Sequence, residues 1–569
     1  MANPYQGKYD YLYECNKNHM NLTAISFDNT KITYEEMHER INQYARALYK
    51  IGIREGDFVG ICAMNSPEAV YIMYALDIIG AVTIGFNPFD NKKTKDDLEI
   101  TRPKTVITND VFYSYFKPYE EQYGFSSILF SPLQSVKNMK MKIPYTLMQI
   151  SKGNFKLDRN ANMKSIIKHP GDELVEAHYP AGTLSDIIFT GGSTGTHKGV
   201  DLSGSGLNSV IEGMKVIFDL EPGMTSIGNI PIAHMAFGKF IMHLSLCNNM
   251  NLSLTLKVMP DDFYEELVRT GAVFATGGPP HWTSLIEKKN GVFVPHSKLK
   301  RDSLKNLYYA TSGGEALKEA TIPAINEALD YCGADAKLGD GLGATETWAP
   351  SFVGNGHRNP SNTLGIPLST LEYKLVDPND HEKLAEDRGL LMVSGPNVMI
   401  GYHNNPKENE RVFETDSAGK RWCNMGDILE KLPSGEYKYF GRLKRNFVSN
   451  VDNIYPEELE DLISTLPEVR EVVVTPISDD KMQYVPRYHI SLYSNEIDFK
   501  EFEQRLTDLV LAKLNENWLP GSIDYICEPL HRMANSKVDI SYYVEKDRKD
   551  MEEERLTHEE AIGLRLKRK

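Results

Sequence analysis

Leu184-Ser-Asp-Ile-Ile-Phe-Thr190, followed at once by Gly191-Gly-Ser-Thr-Gly-Thr-His-Lys198-Gly199-Val200, is an apolar run that empties into a loop of small, hydroxyl-bearing residues. The run predicts a buried strand. Glycines let backbone N–H groups turn toward an anion, hydroxyls add donors, and Lys198 adds a positive charge. The stretch is therefore a candidate nucleotide-phosphate loop, although an ordinary Gly/Ser/Thr turn has the same composition. It is not a Walker loop. His197 precedes the lysine, and Gly199 stands where that pattern needs Ser or Thr.

Working outward, 569 residues are too many for one core and predict three or four structural units. Charged residues at 25% and hydrophobic ones at 41% fit an ordinary globular chain. The net charge of −15 argues against a nucleic-acid or anionic-membrane binder. The six cysteines are scattered with no CxxC spacing, so neither a zinc site nor a disulfide framework is expected. No basic segment leads into an apolar one at the start. The longest apolar stretch, Ala69–Phe86, carries Asp77 and Gly80 and reads as a buried helix running into a strand. No membrane span is expected, and a cytoplasmic protein is the simplest reading.

The flanks read as α/β wiring. Lys31-Ile-Thr33 is a short strand, and Thr33 and Glu36 have capping-box spacing before a stripe of Met37, Ile41, Tyr44, Ala45 and Leu48. Phe58–Ala63 is a strand, and Pro67 opens the next helix. Residues 110–180 give little pattern. Beyond the loop, glycine clusters close successive apolar runs at Gly277-Gly278, Gly313-Gly314 and Gly341–Gly343, as at the binding edge of a doubly wound sheet. The segments 365–367 and 395–402 suggest a small β-rich module. From about residue 442 the texture changes to a compact α+β unit. It has helices at Pro456–Leu466 and Asp498–Asn515 and strands at Glu471–Thr475, Arg487–Tyr493 and Ile523–Cys527. The segment after residue 540 reads as a charged, solvated tail, with a capping pattern at Thr557–Glu560.

Taken together, these motifs resemble the adenylate-forming superfamily of AMP-binding enzymes: acyl-CoA synthetases, firefly-type luciferases and peptide-synthetase adenylation domains. The likeness runs from about Thr33 to Lys537. It implies a large N-terminal adenylation domain (1–441) of doubly wound sheets plus the β-rich subdomain. A small mobile α+β domain (442–540) and the tail (541–569) complete the chain. Thr190–Val200 is similar to the family's phosphate loop, with His197 replacing a proline. Pro231–Gly238 resembles the segment bordering the acyl pocket, which makes His234 and Gly238 pocket residues. Gly313-Gly314-Glu315 and Asp340-Gly341-Leu342, with Thr345, resemble the adenine side. Gly426-Asp427 matches the ribose-binding element, Gly441–Lys444 the hinge, and Met533–Asp539 the terminal motif that carries a catalytic lysine, here Lys537. One departure concerns the thiol: Val451 stands where the family has a glycine beside the pantetheine arm.

The resemblance implies the following chemistry. A carboxylate must approach ATP, itself a polyanion, so positive charge at the α-phosphate is what the site must supply. Lys537 would bridge the two anions. Mg²⁺ would be held by Glu346, with Thr194 a nearby oxygen. Thr190, Gly191, Gly192, Ser193, Thr194, Gly195 and Lys198 would hold the leaving pyrophosphate. Asp427, helped by Arg442, would take the ribose, and Lys444 would be the hinge. His234 is a further catalytic candidate. Ala233 and His234 stand where amino-acid-activating relatives carry an aspartate, so an acid without an α-amino group is expected. It would be fatty or aryl, with Gly191-Gly192 tilting to fatty acid metabolism. The leading expectation is an ATP-dependent acid–CoA ligase. Alternatives are a ligase loading a carrier protein's phosphopantetheine, and a non-catalytic nucleotide- or acyl-binding protein. The acid's identity and the oligomeric state are left open.

Overall fold

A computed structural model of the chain describes all residues except 1–2, 138, 153–160, 175, 178–179, 191–197, 290–291, 316, 358–361, 450–451, 480, 495, 534–537 and 553–569. Strand Leu184–Thr190 lies inside a seven-stranded sheet ordered 401–402, 198–203, 184–190, 82–85, 58–62, 105–109, 126–130. From 184–190 outward the pairing is parallel, while Lys198–Ser203 returns antiparallel. The candidate phosphate loop thus joins two antiparallel neighbours.

Local signals explain the helices that cover this sheet. Thr33 Oγ1 accepts from the Glu36 amide at 3.2 Å, and Glu36 Oε2 accepts from the Thr33 amide at 2.9 Å, closing the capping box. The helix Tyr34–Lys50 then buries Met37, Ile41, Tyr44, Ala45 and Leu48. Ser66 caps the helix Pro67–Ile79, every residue of which is buried. Gly80, at φ 79°, ends it in the left-handed conformation that glycine adopts freely. The chain then enters strand Val82–Gly85.

A second seven-stranded sheet runs 338–339, 309–312, 274–277, 225–228, 251–254, 23–27, 30–33. Its first three strands end where the glycine clusters stand, so those clusters share one edge. A three-stranded sheet (341–344, 349–353, 366–367) follows. An antiparallel six-stranded one follows it, built from 372–377, 380–384, 388–394, 413–415, 421–431 and 437–442. The expected β-rich module is this last sheet, but its outer parts go elsewhere. Ile366-Pro367 joins the three-stranded sheet, and Gly401-Tyr402 pairs with Val200 and Asp201 in the first seven-stranded sheet.

Strand Leu184–Thr190 also carries a charge into the core. Asp186 is fully buried and is paired with Lys8 of the first helix and Lys239 of the helix Ala236–Cys247. Lys8 also lies 3.6 Å from Asp77, and Lys239 donates to Thr83 at 3.1 Å. Burial alone would raise the Asp186 carboxyl; the ammonium groups of Lys239 and Lys8 outweigh it and hold that carboxyl well below the usual range.

The C-terminal unit is a five-stranded sheet (447–449, 452–454, 469–479, 483–492, 522–526) with helices Pro456–Ser464 and Phe499–Lys513, the latter capped by Asp498. Lys288, on a hairpin of the N-terminal part, donates to the carbonyls of Leu466 and Val469 at 3.3 and 3.0 Å. The reading of residues 541 onward as a charged tail is corrected for its first turns. Ile540–Glu552 is a helix, and its Asp547 is buried against Arg487 at 2.7 Å and His489 at 3.2 Å. Within the charge run Asp547 and Asp550 pair with buried Arg487, while Glu545, Arg548 and Lys549 face water. Thr557–Glu560 lies outside the described residues.

His489 gives this docking a pH dependence. Burial opposes its charge, but hydrogen bonds to Asp524 (2.9 Å) and Asp547 outweigh burial and raise its pKa above the ordinary 6.5. A raised pKa stabilises the folded form fully below the unfolded value and loses that contribution as pH climbs through the folded one. The C-terminal unit is thus expected to melt lower at pH 9 than at pH 6, and His489→Gln should flatten that slope. Thermal scans monitored by hydrogen exchange of strand 483–492 would check it; an equal slope in both proteins would contradict the assignment.

Candidate active site

The described site residues form two groups along the edges of the sheets. The first begins at the loop's exit. Thr190 and Lys198 are register partners, so the segment between them starts and ends at one level. Lys198 is nearly buried, pairs with Glu408, and sits 4.6 Å over the Tyr402 ring. Tyr402 in turn donates its hydroxyl to Glu346 Oε1 at 2.8 Å. Burial, with the Glu346 carboxylate beside it, raises the phenol's pKa and keeps it a donor. Met399 donates its amide to the Glu346 carbonyl at 2.8 Å. Glu346 itself lies in the turn Thr345–Thr347, followed by Trp348 and Ala349 at φ 58° and 82°. Two successive non-glycine residues with positive φ mark a strained turn. Trp348 is held there by its buried indole, which donates to the Ser203 carbonyl at 2.8 Å.

Asp427 and Arg442 face each other as register partners, with Arg442 Nε donating to Asp427 Oδ1 at 2.8 Å. The Asp427 carboxylate, ahead of the opposing effect of burial, raises the guanidinium's pKa, and Glu346 adds to it. Lys444 is pushed down by burial and then by the charges of Arg411 and Lys198. The structure therefore brings Lys198, Glu346, Asp427, Arg442 and Lys444 into one electrostatic neighbourhood.

The second group surrounds the glycine edge. A Cβ on Gly313 would lie 3.7 Å from both the Gly341 carbonyl and Phe237 Cζ, so bare backbone borders the space there. Gly314 adopts φ 92°, and a Cβ there would meet no atom within 4 Å. Glu315 is half-buried beside it, and Leu342 packs half-buried against the main core. Asp340 accepts the Gly341 amide at 2.9 Å, and burial pushes its carboxyl up to about 7. His234 is buried with Phe89 edge-on at 6.2 Å; burial lowers its imidazole to about 3, so the ring is neutral, and its Nδ1 has no partner among the described residues. Gly238, expected at the acyl pocket, is buried at the start of the helix Ala236–Cys247. A Cβ there would sit 2.0 Å from the Pro231 carbonyl, so the glycine lets the helix start against that carbonyl. Gly191, Gly192, Ser193, Thr194, Gly195, His197, Val451 and Lys537 lie outside the described residues.

Residues 12–403 match the family described as AMP-binding enzyme. The chain belongs to the AMP-binding enzyme family. Among relatives of this AMP-binding enzyme, a long-chain-fatty-acid–CoA ligase of Bacillus subtilis (strain 168) is 23% identical over 470 residues, 80% of each chain. A 4-coumarate–CoA ligase 1 of Petroselinum crispum is 24% identical, covering 80% of this chain and 78% of that one. ATP-bound MatB from Rhodopseudomonas palustris superposes with a TM-score of 0.79 at 19% identity, over 95% of this chain and 99% of that one. The anthranilate–CoA ligase AuaEII, solved with anthranoyl-AMP, gives 0.77 at 18% identity over 96% and 98%. These superpositions carry the α/β architecture of the AMP-binding enzyme.

Sequence reasoning missed Tyr402, which links Lys198 to Glu346, and Glu408, which pairs with Lys198. Gly401-Tyr402 was visible only as part of a β-rich stretch, and Glu408 is one of several charges on a short helix, so neither carried a local signal. Among the described residues no group of three or more His, Cys, Asp or Glu could hold a metal by itself. No described helix is long and apolar enough to cross a membrane.

Proposed function

We propose that the chain is an ATP-dependent carboxylic acid–CoA ligase acting on a fatty or aryl acid. The observation that carries this reading is the convergence of Lys198, Tyr402, Glu346 and the Asp427–Arg442 pair on one edge, in a chain of the AMP-binding enzyme family. The relatives' names, a long-chain fatty acid and 4-coumarate, support both acid classes.

The acid's carboxylate oxygen attacks the α-phosphorus of ATP, and the bond to the pyrophosphate oxygen breaks. A thiolate then attacks the acyl carbon, and AMP leaves. Asp427 accepts the ribose hydroxyls, and Arg442 fixes that carboxylate so that its free lone pairs face the sugar. Lys198 and the loop before it hold the leaving pyrophosphate. The Asp340–Leu342 and Gly313–Glu315 segments border the adenine, and neutral His234 borders the acid. Lys537 carries charge to the α-phosphate. Glu346 fits one Mg²⁺, since this ion takes one or two carboxylates and fills its shell with phosphate oxygens and water, and Tyr402 occupies only one lone-pair direction of Oε1. When bound, the ion neutralises phosphate charge. The segment 1–441 is the adenylation domain and 442–540 the moving one, with Lys444 at the hinge.

The test is acid-dependent pyrophosphate–ATP exchange over a panel of fatty and aryl acids, followed by thioester formation with free CoA or with a carrier protein. At least one acid should support exchange and then yield acyl-CoA. Exchange with no acid would sink the reading, and transfer to the carrier protein alone would move the acceptor to a phosphopantetheine arm.

A further inference from the structure

The edge of the second sheet carries polar atoms that the proposed chemistry does not use. Along its strands, Ile227, Ala275 and Ala310 point to one face and Phe274 and Tyr309 to the other. Because side chains alternate, Asn229, Gly277 and Ser312 return to the first face. They stand at one level: Gly277 and Ser312 are register partners, and counting on from Phe274 paired with Ser226 brings Asn229 beside Gly277. Gly277 has no side chain, and His281 occupies its place; a Cβ there would lie 2.8 Å from His281 Cβ and 3.5 Å from Nδ1.

Asn229 and Ser312 are 2% and 4% exposed. Both amide atoms of Asn229, the Ser312 hydroxyl and His281 Nδ1 are buried without a hydrogen-bond partner among the described residues. Unpaired buried polar atoms are costly, and four at one level are unusual for a packed core. The other ring nitrogen of His281 faces the Val258 carbonyl at 3.3 Å, which places the proton on Nε2 and leaves Nδ1 an acceptor. The row also borders the candidate site. A Cβ on Gly278 would lie 3.9 Å from His281 Nδ1 and 3.6 Å from the Gly313 carbonyl, and Gly313 faces Phe237. Gly278 and Gly313 thus put bare backbone between the His281 acceptor and the Phe237 ring.

Resting on the ligase reading, we infer that Asn229, His281 and Ser312 recognise a hydrogen-bonding group of a substrate, a hydroxyl or secondary amide. It donates to His281 Nδ1 and meets the Asn229 amide and the Ser312 hydroxyl. This chemistry has two sources: a polar substituent on the acid, away from its carboxylate, or an amide of the acceptor thiol's arm.

The experiment compares the full chain with His281→Phe and with the double variant Asn229→Leu, Ser312→Ala. Apolar replacements remove the unmatched atoms, so both should melt no lower than the parent. Exchange is measured with matched acids, dodecanoic against 12-hydroxydodecanoic and cinnamic against 4-hydroxycinnamic, and the second step with CoA. If the acid supplies the group, the kcat/KM ratio of hydroxylated over plain acid falls at least tenfold in exchange. If the acceptor supplies it, that ratio holds and the KM for CoA rises at least tenfold. Changes under threefold in both overturn the inference. Thermal-shift titrations with the same acids and with CoA read binding without turnover. Equal shifts in parent and variants would overturn the inference whatever the catalytic result, whereas absent exchange in the parent counts against the ligase reading alone.

Discussion

Lys537→Ala is expected to lower acid-dependent pyrophosphate–ATP exchange by about 10²–10³-fold, the range for removing one preorganised charge from a transition state. ATP affinity should change only a few-fold. The reason lies partly in what the described cations already do. Lys198 is committed to Glu408 and to the Tyr402 ring, and Arg442 to Asp427. Neither presents an uncompensated charge to a carboxylate approaching a triphosphate. On the proposed reading the bridging charge falls to Lys537, and its contribution would grow as the two anions close on one another. Exchange rates read together with the ATP Kd from calorimetry separate the roles. Equal losses in both would make Lys537 a binding residue, and no loss in exchange would remove it from the chemistry. Lys198→Ala should cost exchange less, because its removal also frees Glu408 to turn toward solvent.

Asp186→Ala is expected to have the largest effect on stability, about 3–5 kcal/mol, because it leaves buried Lys8 and Lys239 without their shared carboxylate. Asp77, 3.6 Å from Lys8, compensates one of them in part. Lys239 keeps its hydrogen bond to the Thr83 hydroxyl, with Asp77 acting from farther off. The triple replacement Asp186→Leu, Lys8→Met, Lys239→Met makes the contrasting case. It removes these three charges at similar volume but leaves buried Asp77 without Lys8, so it should restore only part of the loss; apolar substitutes for buried ion clusters are neutral or better when no charge is left behind. Calorimetric unfolding of the three proteins checks both statements. A melting point for Asp186→Ala within 2 °C of the parent would mean that water reaches the cluster and screens it.

What was legible in the sequence was what is decided locally. The Thr33 capping box and the Pro67 start each depend on a few adjacent residues, and each stands where the pattern places it. The glycine clusters were readable because a parallel strand must end in a turn, and close backbone approach at that turn excludes side chains. Family motifs then put Asp427 near Arg442 before any distance was known. Pairings across hundreds of residues left no trace. Asp186 looked like one polar residue in an apolar strand, and Lys239 like one charge on an apolar helix. Residues 139–151 form a helix despite Pro144, with several large apolar side chains exposed, so no periodic stripe announced it. Asp547 failed for the opposite reason: in a charge-dense run nothing distinguishes the one carboxylate that is buried.

The order of strands in the second sheet has a consequence for how the chain is made. Strand 23–27 has 251–254 as its parallel neighbour. At ribosomal speeds, roughly 10–50 s separate the emergence of these two strands. During that interval the hairpin Thr23–Thr33 has an unpaired edge. Strand 23–27 therefore lacks its parallel neighbour until residues 251–254 have left the exit tunnel.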